Sequence, residues 1–220
     1  MKYPFIALST KVEIHPLCKN LEGEPLILDL SQTSDLFEKV DVHDQKAFQK
    51  WLDKKMAGRF SWGVAAYLEN RQKVLSVYPQ MVEEKRWYHL GLDIIVPLGT
   101  QLFAPLAARV ALSGYEEGDG NYGAHVLLAH ESDAFETFYS FYGHLNRDKL
   151  PEKGRKFNTG DPFACIGDFH ENGNWFYHTH LQVLTQKALA AGYMSKGYCS
   201  GQDLADMDSL CPSPLSLFVI

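Results

Sequence analysis

The spacing of apolar and polar residues changes character near residue 88 of the chain. Before that point a helical pattern is clearest in "DQKAFQKWLDKKM", residues 44–56. At a helical period its apolar side chains fall near one face: Ala47, Phe48, Trp51, Leu52 and Met56. Asp44 is expected to cap the start of this helix and Gly58 to end it. A shorter helix is predicted just upstream, with Ser34 or Asp35 as its cap.

From about Tyr88 onward the pattern is typical of β-strands. Short apolar, aromatic and β-branched runs such as "LDIIV", "AHVLLAH", "TFYSFY" and "HLQVL" alternate with turn sequences such as "SGYEEGDGNYG" and "HENGN". This alternation favours an antiparallel sheet or a partly open barrel. The sequence therefore predicts an α+β, mainly β fold, with a small helical and extended N-terminal flank over residues 1–80 and the main domain over residues 81–220.

Composition narrows the classes of partner. The chain has 220 residues and a net charge of −6, which argues against a nucleic-acid partner because such proteins carry a basic face. No run approaches the length of about 18 apolar residues that a membrane span needs. The opening "MKYPFIALSTKVEIHPL" is broken by proline and lacks a cleavage site, so we expect a cytoplasmic location. Export by a route without an N-terminal signal is the alternative.

The four cysteines are predicted to be reduced thiols. They are far apart, without a CxxC pair, which is a poor pattern for a zinc site or a disulfide framework: Cys18, Cys165, Cys199 and Cys211. A bridge between Cys199 and Cys211 is expected only in an oxidising compartment.

Candidate chemistry begins in "HLGLDIIV", residues 89–96. On a single strand, His89, Gly91 and Asp93 share one face while Leu90 and Leu92 share the other. A buried carboxylate is costly unless it is paired or bound to metal. Imidazole and carboxylate together make a normal partial zinc shell.

A second polar pair lies in "HTHLQV", where His178 and His180 share a face of a predicted strand. If one of them joins His89 and Asp93, three protein ligands are present and a fourth position stays open, as in catalytic zinc sites. The other histidine would then lie beside the metal, close enough to handle a proton. Periodicity alone does not decide which histidine has which role. His144, in "YGHL", follows a glycine at a strand end and is a third candidate.

In this order, "HLGLD", "YGHL" and "HTH" resemble the motifs of the lysostaphin/LytM-type zinc metallopeptidase family. Intervening stretches are also similar to that family, so the resemblance covers residues 86–185, about 45% of the chain. It implies that one zinc ion per chain is bound by His89, Asp93 and His180. It further implies that His144 and His178 are catalytic histidines that do not bind the metal.

The resemblance implies hydrolysis of a peptide or amide bond, in peptidoglycan or in a small cytosolic peptide. The alternative is a catalytically silent binding or regulatory module of the same fold. Such modules typically lose ligands or catalytic histidines, and this sequence keeps all five. No HExxH helix is present, so a histidine rather than a glutamate must be the general base.

The approach to the His-x-His strand departs from the family's usual Gly-Ser-rich turn. Here "ENGNWFYHTHLQV" brings in large aromatics, and Trp175 and Tyr177 are predicted either to form a wall against the substrate or simply to pack within the fold. Asn121, in the Gly-rich loop, is a turn former and a further candidate substrate contact. This segment and "YLENRQKVLSVYP" also resemble a branch whose peptidase-like domain lies between phosphotransferase and aminotransferase parts. His130 is predicted to have a structural role.

Overall fold

A computed structural model of the chain describes residues 12–220, so most of the opening segment assessed for a signal sequence lies outside the described residues. The strands are, in chain order, β1 (Leu26–Ile27), β2 (Gly63–Ala65), β3 (Arg86–His89), β4 (Leu92–Ile95), β5 (Gln101–Phe103), β6 (Ala108–Glu116), β7 (Gly123–Ser132), β8 (Phe135–Leu145), β9 (Lys156–Phe157), β10 (Pro162–Cys165), β11 (His178–Thr185) and β12 (Tyr198–Ser200).

Eight strands form one large sheet in the order β1-β2-β4-β11-β8-β7-β6-β9. All its pairings are antiparallel except that of β1 with β2. Two further pairs, β10–β5 and β12–β3, make small separate sheets. The prediction of a mainly β fold built on an antiparallel sheet is confirmed. Within residues 12–220 the sheet does not close into a barrel, because β1 and β9 end it on opposite sides.

The helices are short and lie mostly outside the sheet. They are α1 (Gln45–Met56), α2 (Gln72–Leu75), α3 (Pro79–Glu83), α4 (Gln186–Ala190) and α5 (Met207–Leu210), with 3-10 turns at Asp35–Glu38, Arg147–Lys149, Tyr193–Ser195, Leu204–Asp206 and Pro214–Ser216. Over the part of the chain that the structure covers, none of the helices has the length and apolar character needed to cross a membrane.

Both helices predicted in the flank are present. The Asp44 side chain caps α1 by accepting from the Ala47 N–H at 3.0 Å, and Gly58 follows the helix with a left-handed φ of 65°. Ser34, rather than Asp35, caps the 3-10 turn. Phe48 of α1 packs edge-on against Phe176, with ring centroids 5.2 Å apart. The flank is therefore packed against the segment that leads into β11.

The prediction that "HLGLDIIV" is one continuous strand is wrong. The chain leaves β3 after His89, passes through Leu90 and Gly91, and enters β4 at Leu92. The break arises because β3 pairs with β12 in a small sheet, whereas β4 pairs with β2 and β11 in the large one. His89 and Asp93 nevertheless converge, because the two strands meet at this bend.

The flank and the main domain share the large sheet. β2 lies within the stretch predicted as the flank, and it pairs directly with β4, opposite Asp93 at Ala65. Treating residues 1–80 as a unit separate from residues 81–220 stays a prediction.

Candidate metal and catalytic site

Three side chains from β3, β4 and β11 converge on one buried point. His180 lies directly opposite Asp93 in the pairing of β11 with β4. The Nε2 atom of His89 is 3.2 Å from Oδ1 of Asp93, and Nδ1 of His180 is 3.3 Å from the same oxygen. His89 Nε2 and His180 Nδ1 are 2.9 Å apart. These three residues could hold a metal ion.

The hydrogen bonds around the two imidazoles determine which nitrogen faces the centre. His89 Nδ1 is 2.8 Å from the carbonyl oxygen of Ala66, which can only accept, so Nδ1 carries the hydrogen. His180 Nε2 lies 3.0 Å from Oε1 of Gln182 and is likewise the donor there. His89 Nε2 and His180 Nδ1 therefore direct lone pairs toward each other. Oδ1 of Asp93 is buried between them without a hydrogen-bond partner.

This arrangement fits a divalent metal. Three electron-rich atoms that face one another without a donor repel unless a cation or a proton lies among them. Two imidazoles and one carboxylate are also a normal set of protein ligands for a catalytic zinc ion.

Arg71, from the flank, neutralises the outer side of the carboxylate. Its Nη1 donates to Oδ2 of Asp93 at 2.7 Å, and its Nε donates to Glu69 at 2.7 Å. Burial alone would raise the pKa of Asp93, but its electrostatic interactions with His89 and with the Arg71 guanidinium hold that pKa well below its usual range. Arg71 lies 22 residues upstream of Asp93, and no pattern in the sequence singled it out.

His178 and His144 lie together beside the candidate ligands. Their ring centroids are 4.3 Å apart, and His178 Nε2 is 3.6 Å from Oδ1 of Asp93. Each ring anchors its Nδ1–H on a carbonyl oxygen, that of Phe176 at 2.8 Å and that of Asn172 at 2.7 Å respectively. Both Nε2 atoms consequently lack a hydrogen and are free to accept one.

Burial keeps these two imidazoles neutral. It lowers the pKa of His178 to about 4 and that of His144 well below its usual value. At neutral pH both rings are therefore proton acceptors rather than cations.

Four of the five residues, Asp93, His144, His178 and His180, line a cavity of about 260 Å³, and His89 lies buried behind them. Of the residues predicted as substrate contacts, Trp175 and Asn121 line it. Tyr177 is placed elsewhere: its hydroxyl donates to Asp168 at 2.9 Å, and its ring stacks on Phe169. Tyr177 follows two residues that do line the cavity, Trp175 and Phe176, and the chain turns its side chain away from them.

Several cavity residues were not predicted from the sequence. They come from the flank, from α3 and β3, and from the segment after α4: Arg71, Gln80, Met81, Arg86, Ser195, Gly197 and Tyr198. The pairing of β12 with β3, which places Tyr198 opposite His89, brings the two distant segments to the site. That pairing joins residues more than a hundred positions apart, and neither strand carries a motif that identifies the other.

His130 and the four cysteines are buried and do not line the cavity. His130 is buried away from the candidate ligands, where it bonds to the Ala107 carbonyl at 3.1 Å and to Ser140 Oγ at 2.7 Å. His170 is exposed. All four cysteines are buried and free.

Comparison with known proteins places this site in a family. Residues 87–190 match the profile of peptidase family M23. Similar solved structures include a zinc-containing peptidase from Vibrio cholerae, 25% identical with a TM-score of 0.37, over 44% of this chain and 27% of that one. Another is the catalytic domain of the antimicrobial peptidase lysostaphin from Staphylococcus simulans, 22% identical with a TM-score of 0.37, over 44% and 68% of the two chains.

This chain thus spans about a quarter of the length of the Vibrio cholerae peptidase. Among curated proteins, none matches the chain. The stretch that matches the family contains all five residues of the site, His89, Asp93, His144, His178 and His180. Arg71 and the other flank residues lie outside it.

Proposed function

Residues 87–190 are a domain of peptidase family M23, and on that premise we propose that the chain is a zinc-dependent peptidase or amidase. The observation that carries the proposal is the convergence of three buried, unprotonated ligand atoms beside two neutral imidazoles. A structural metal site would need the three ligands but would have no use for a neighbouring pair of histidines with free Nε2 atoms.

The proposed zinc ligands are His89 through Nε2, His180 through Nδ1 and Asp93 through Oδ1. When bound, a zinc ion supplies Lewis-acid chemistry, polarising a carbonyl and making water more acidic. The hydrogen bonds from His89 to Ala66 and from His180 to Gln182 fix the tautomers that this binding requires.

His178 and His144 are the proposed general base and its partner. Amide hydrolysis requires a group that takes a proton from water and later gives one to the leaving amine. Nε2 of His178 has a free lone pair, and the nearby Asp93 carboxylate would stabilise the imidazolium once a proton is taken up. His144 lies against His178, so its Nε2 can take over that proton and, once protonated, donate to the oxyanion.

The proposed substrate is a peptide or an amide. It is either a crosslinked peptide of peptidoglycan or a small soluble peptide. The test is incubation of zinc-loaded protein with purified peptidoglycan and with a peptide library, with products identified by mass spectrometry. We expect peptide-bond cleavage that is lost on chelation and restored by zinc. His144→Asn is the matched inactive control, since asparagine tolerates the left-handed φ of 64° at this position.

One result would contradict the proposal and favour the silent module. That result is a fully folded protein that holds one equivalent of zinc but cleaves neither peptidoglycan nor the peptides. Such a protein would bind the metal without catalysing hydrolysis.

A further inference from the structure

Seven of the 17 residues that line the cavity lie outside the stretch that matches the family. Five of these seven, called the collar below, lie in α3 and in the segment after α4: Gln80, Met81, Ser195, Gly197 and Tyr198. The matching stretch ends at residue 190 and begins at residue 87, so none of the five is part of it. The cavity therefore combines residues of the matching stretch with wall residues that lie outside it.

The two halves of the collar are held to each other and to the site. Lys196 Nζ donates to Glu84 Oε2 at 3.1 Å, which joins the segment after α4 to the end of α3. The N–H of Leu90 donates to the carbonyl of Gly197 at 2.9 Å. The Arg71 guanidinium, which also bonds to Asp93, lies 3.5 Å from the Tyr198 hydroxyl. These contacts link the collar to the end of α3, to Leu90 and to Arg71.

Tyr78, at the start of α3, connects the flank to two other residues of the cavity wall, Gly120 and Trp175. Its ring occupies the space that a Cβ on Gly120 would fill, at 2.6 Å from that position. It also packs against Trp175, with ring centroids 5.8 Å apart. The flank therefore contacts both the Gly-rich loop and the aromatic wall. Gly120 has a φ of 83°, so the close approach and the backbone both require glycine there.

The resulting cavity is small and the reactive groups lie deep within it. Its volume of about 260 Å³ lies below the range of about 300–1,000 Å³ typical of sites for drug-sized ligands. His144, the most accessible of the five site residues, is only 5% exposed. A long peptide crossing the site would need an open groove on both sides of the scissile bond.

We infer that the collar and Tyr78 restrict the site to short peptides or amides, and exclude long or crosslinked chains. The inference rests on the proposed function, because it names the substrate class of the same site. A short molecule can place its amide beside His178 and His144 within the cavity, whereas a continuous chain meets the wall formed by Gln80, Met81 and Tyr198.

The test compares peptides of one composition, about three and about twelve residues long, both blocked at their ends, on the zinc-loaded full chain. We expect the shorter peptide to be cleaved at least about tenfold more efficiently. Tyr78→Ala should reduce that preference by removing the contact with Gly120, and Gln80→Ala should do so without disturbing the core. Val77→Ala is the matched control, since Val77 is exposed and does not line the cavity.

A second readout separates this inference from the proposed function. Calorimetry measures binding of the same two peptides to zinc-loaded His144→Asn protein and to the wild type. Cleavage of both lengths with equal efficiency would overturn the inference while leaving the peptidase proposal intact. Tighter binding of the short peptide without any cleavage would support the inference while the peptidase proposal fails. Failure of both peptides to bind or be cleaved, or a preference unchanged in Tyr78→Ala and Gln80→Ala, would also overturn the inference.

Discussion

The Arg71 guanidinium donates to Oδ2 of Asp93 at 2.7 Å, on the side of the carboxylate that faces away from the two imidazoles. Both side chains are almost completely buried. The bond orients the carboxylate so that Oδ1 is left for a metal, and it supplies a positive charge that keeps Asp93 ionised. Arg71 lies outside the stretch that matches the family, so the candidate ligand is oriented by a residue from the flank.

Replacing Arg71 should weaken zinc binding without removing a ligand. In Arg71→Met we expect zinc affinity to fall by about 10- to 100-fold, the usual cost of losing a partner that orients a metal ligand. The measurement is the zinc dissociation constant, obtained by competition with a chromophoric chelator.

A paired variant controls for the effect on folding. Arg71→Met leaves the buried carboxylate of Glu69 without its partner, which is destabilising. Glu69→Gln together with Arg71→Met removes that unpaired charge while Asp93 still lacks its donor. Zinc affinity that returns to the wild-type value in the double variant would mean that Arg71 acts only through stability.

A methyl group at Gly91 should displace His180. A Cβ built on Gly91 would overlap the His180 imidazole at Cε1, Nε2 and Nδ1, so the ring and the glycine cannot both keep their places. In Gly91→Ala we expect zinc binding to fall at least about tenfold, because one of three ligands is misplaced. Isothermal calorimetry measures the change.

Gly201→Ala is the matched control for that substitution. A Cβ there would meet only the Tyr88 ring, at an ordinary contact distance of 3.5 Å. Equal zinc affinity in the two alanine variants would show that the close approach of Gly91 to His180 has no role in the site.

His130 should make the protein sensitive to acid independently of the site. Burial lowers the pKa of His130 from 6.5 to about 4 in the folded state. Below pH 6.5 the unfolded chain takes up a proton that the folded chain does not, so the free energy of unfolding falls as the pH drops toward 4. A difference of this size corresponds to about 3 kcal/mol.

The comparison with His130→Gln isolates that contribution. Glutamine keeps polar atoms near Ala107 and Ser140 but does not titrate, and the site histidines affect both proteins equally. Chemical unfolding at a series of pH values should show the wild type losing about 3 kcal/mol more than the variant between pH 7 and pH 4. Parallel curves would contradict a buried neutral His130.

Local patterns account for what the sequence predicted well. The helical spacing and the Asp44 cap identified α1, and the alternation of short apolar runs with turn sequences indicated an antiparallel sheet. Ordered motifs brought His89, Asp93, His144, His178 and His180 into one hypothesis, and the structure places these five side chains together. Their roles as ligands and as catalytic groups stay predictions.

Long-range pairing accounts for what could not be predicted. The break at Gly91 depends on β3 joining β12 rather than continuing into the large sheet, and β12 carries no motif. Arg71 reaches Asp93 only because the flank packs on β4. The placement of Tyr177 likewise depends on contacts that no local pattern predicts. Its hydroxyl donates to Asp168 across a turn, and its backbone N–H donates to Gln49, which is 128 residues away in the chain.

The most direct test of the account compares two neighbouring histidines on β11. Zinc per chain is measured by mass spectrometry of the metal in His178→Ala and in His180→Ala, each purified under the same conditions as the wild type. If His180 binds the metal and His178 handles a proton, His178→Ala keeps close to one zinc per chain and loses hydrolysis, whereas His180→Ala loses the zinc. Full zinc in His180→Ala, or loss of zinc in His178→Ala alone, would contradict the account.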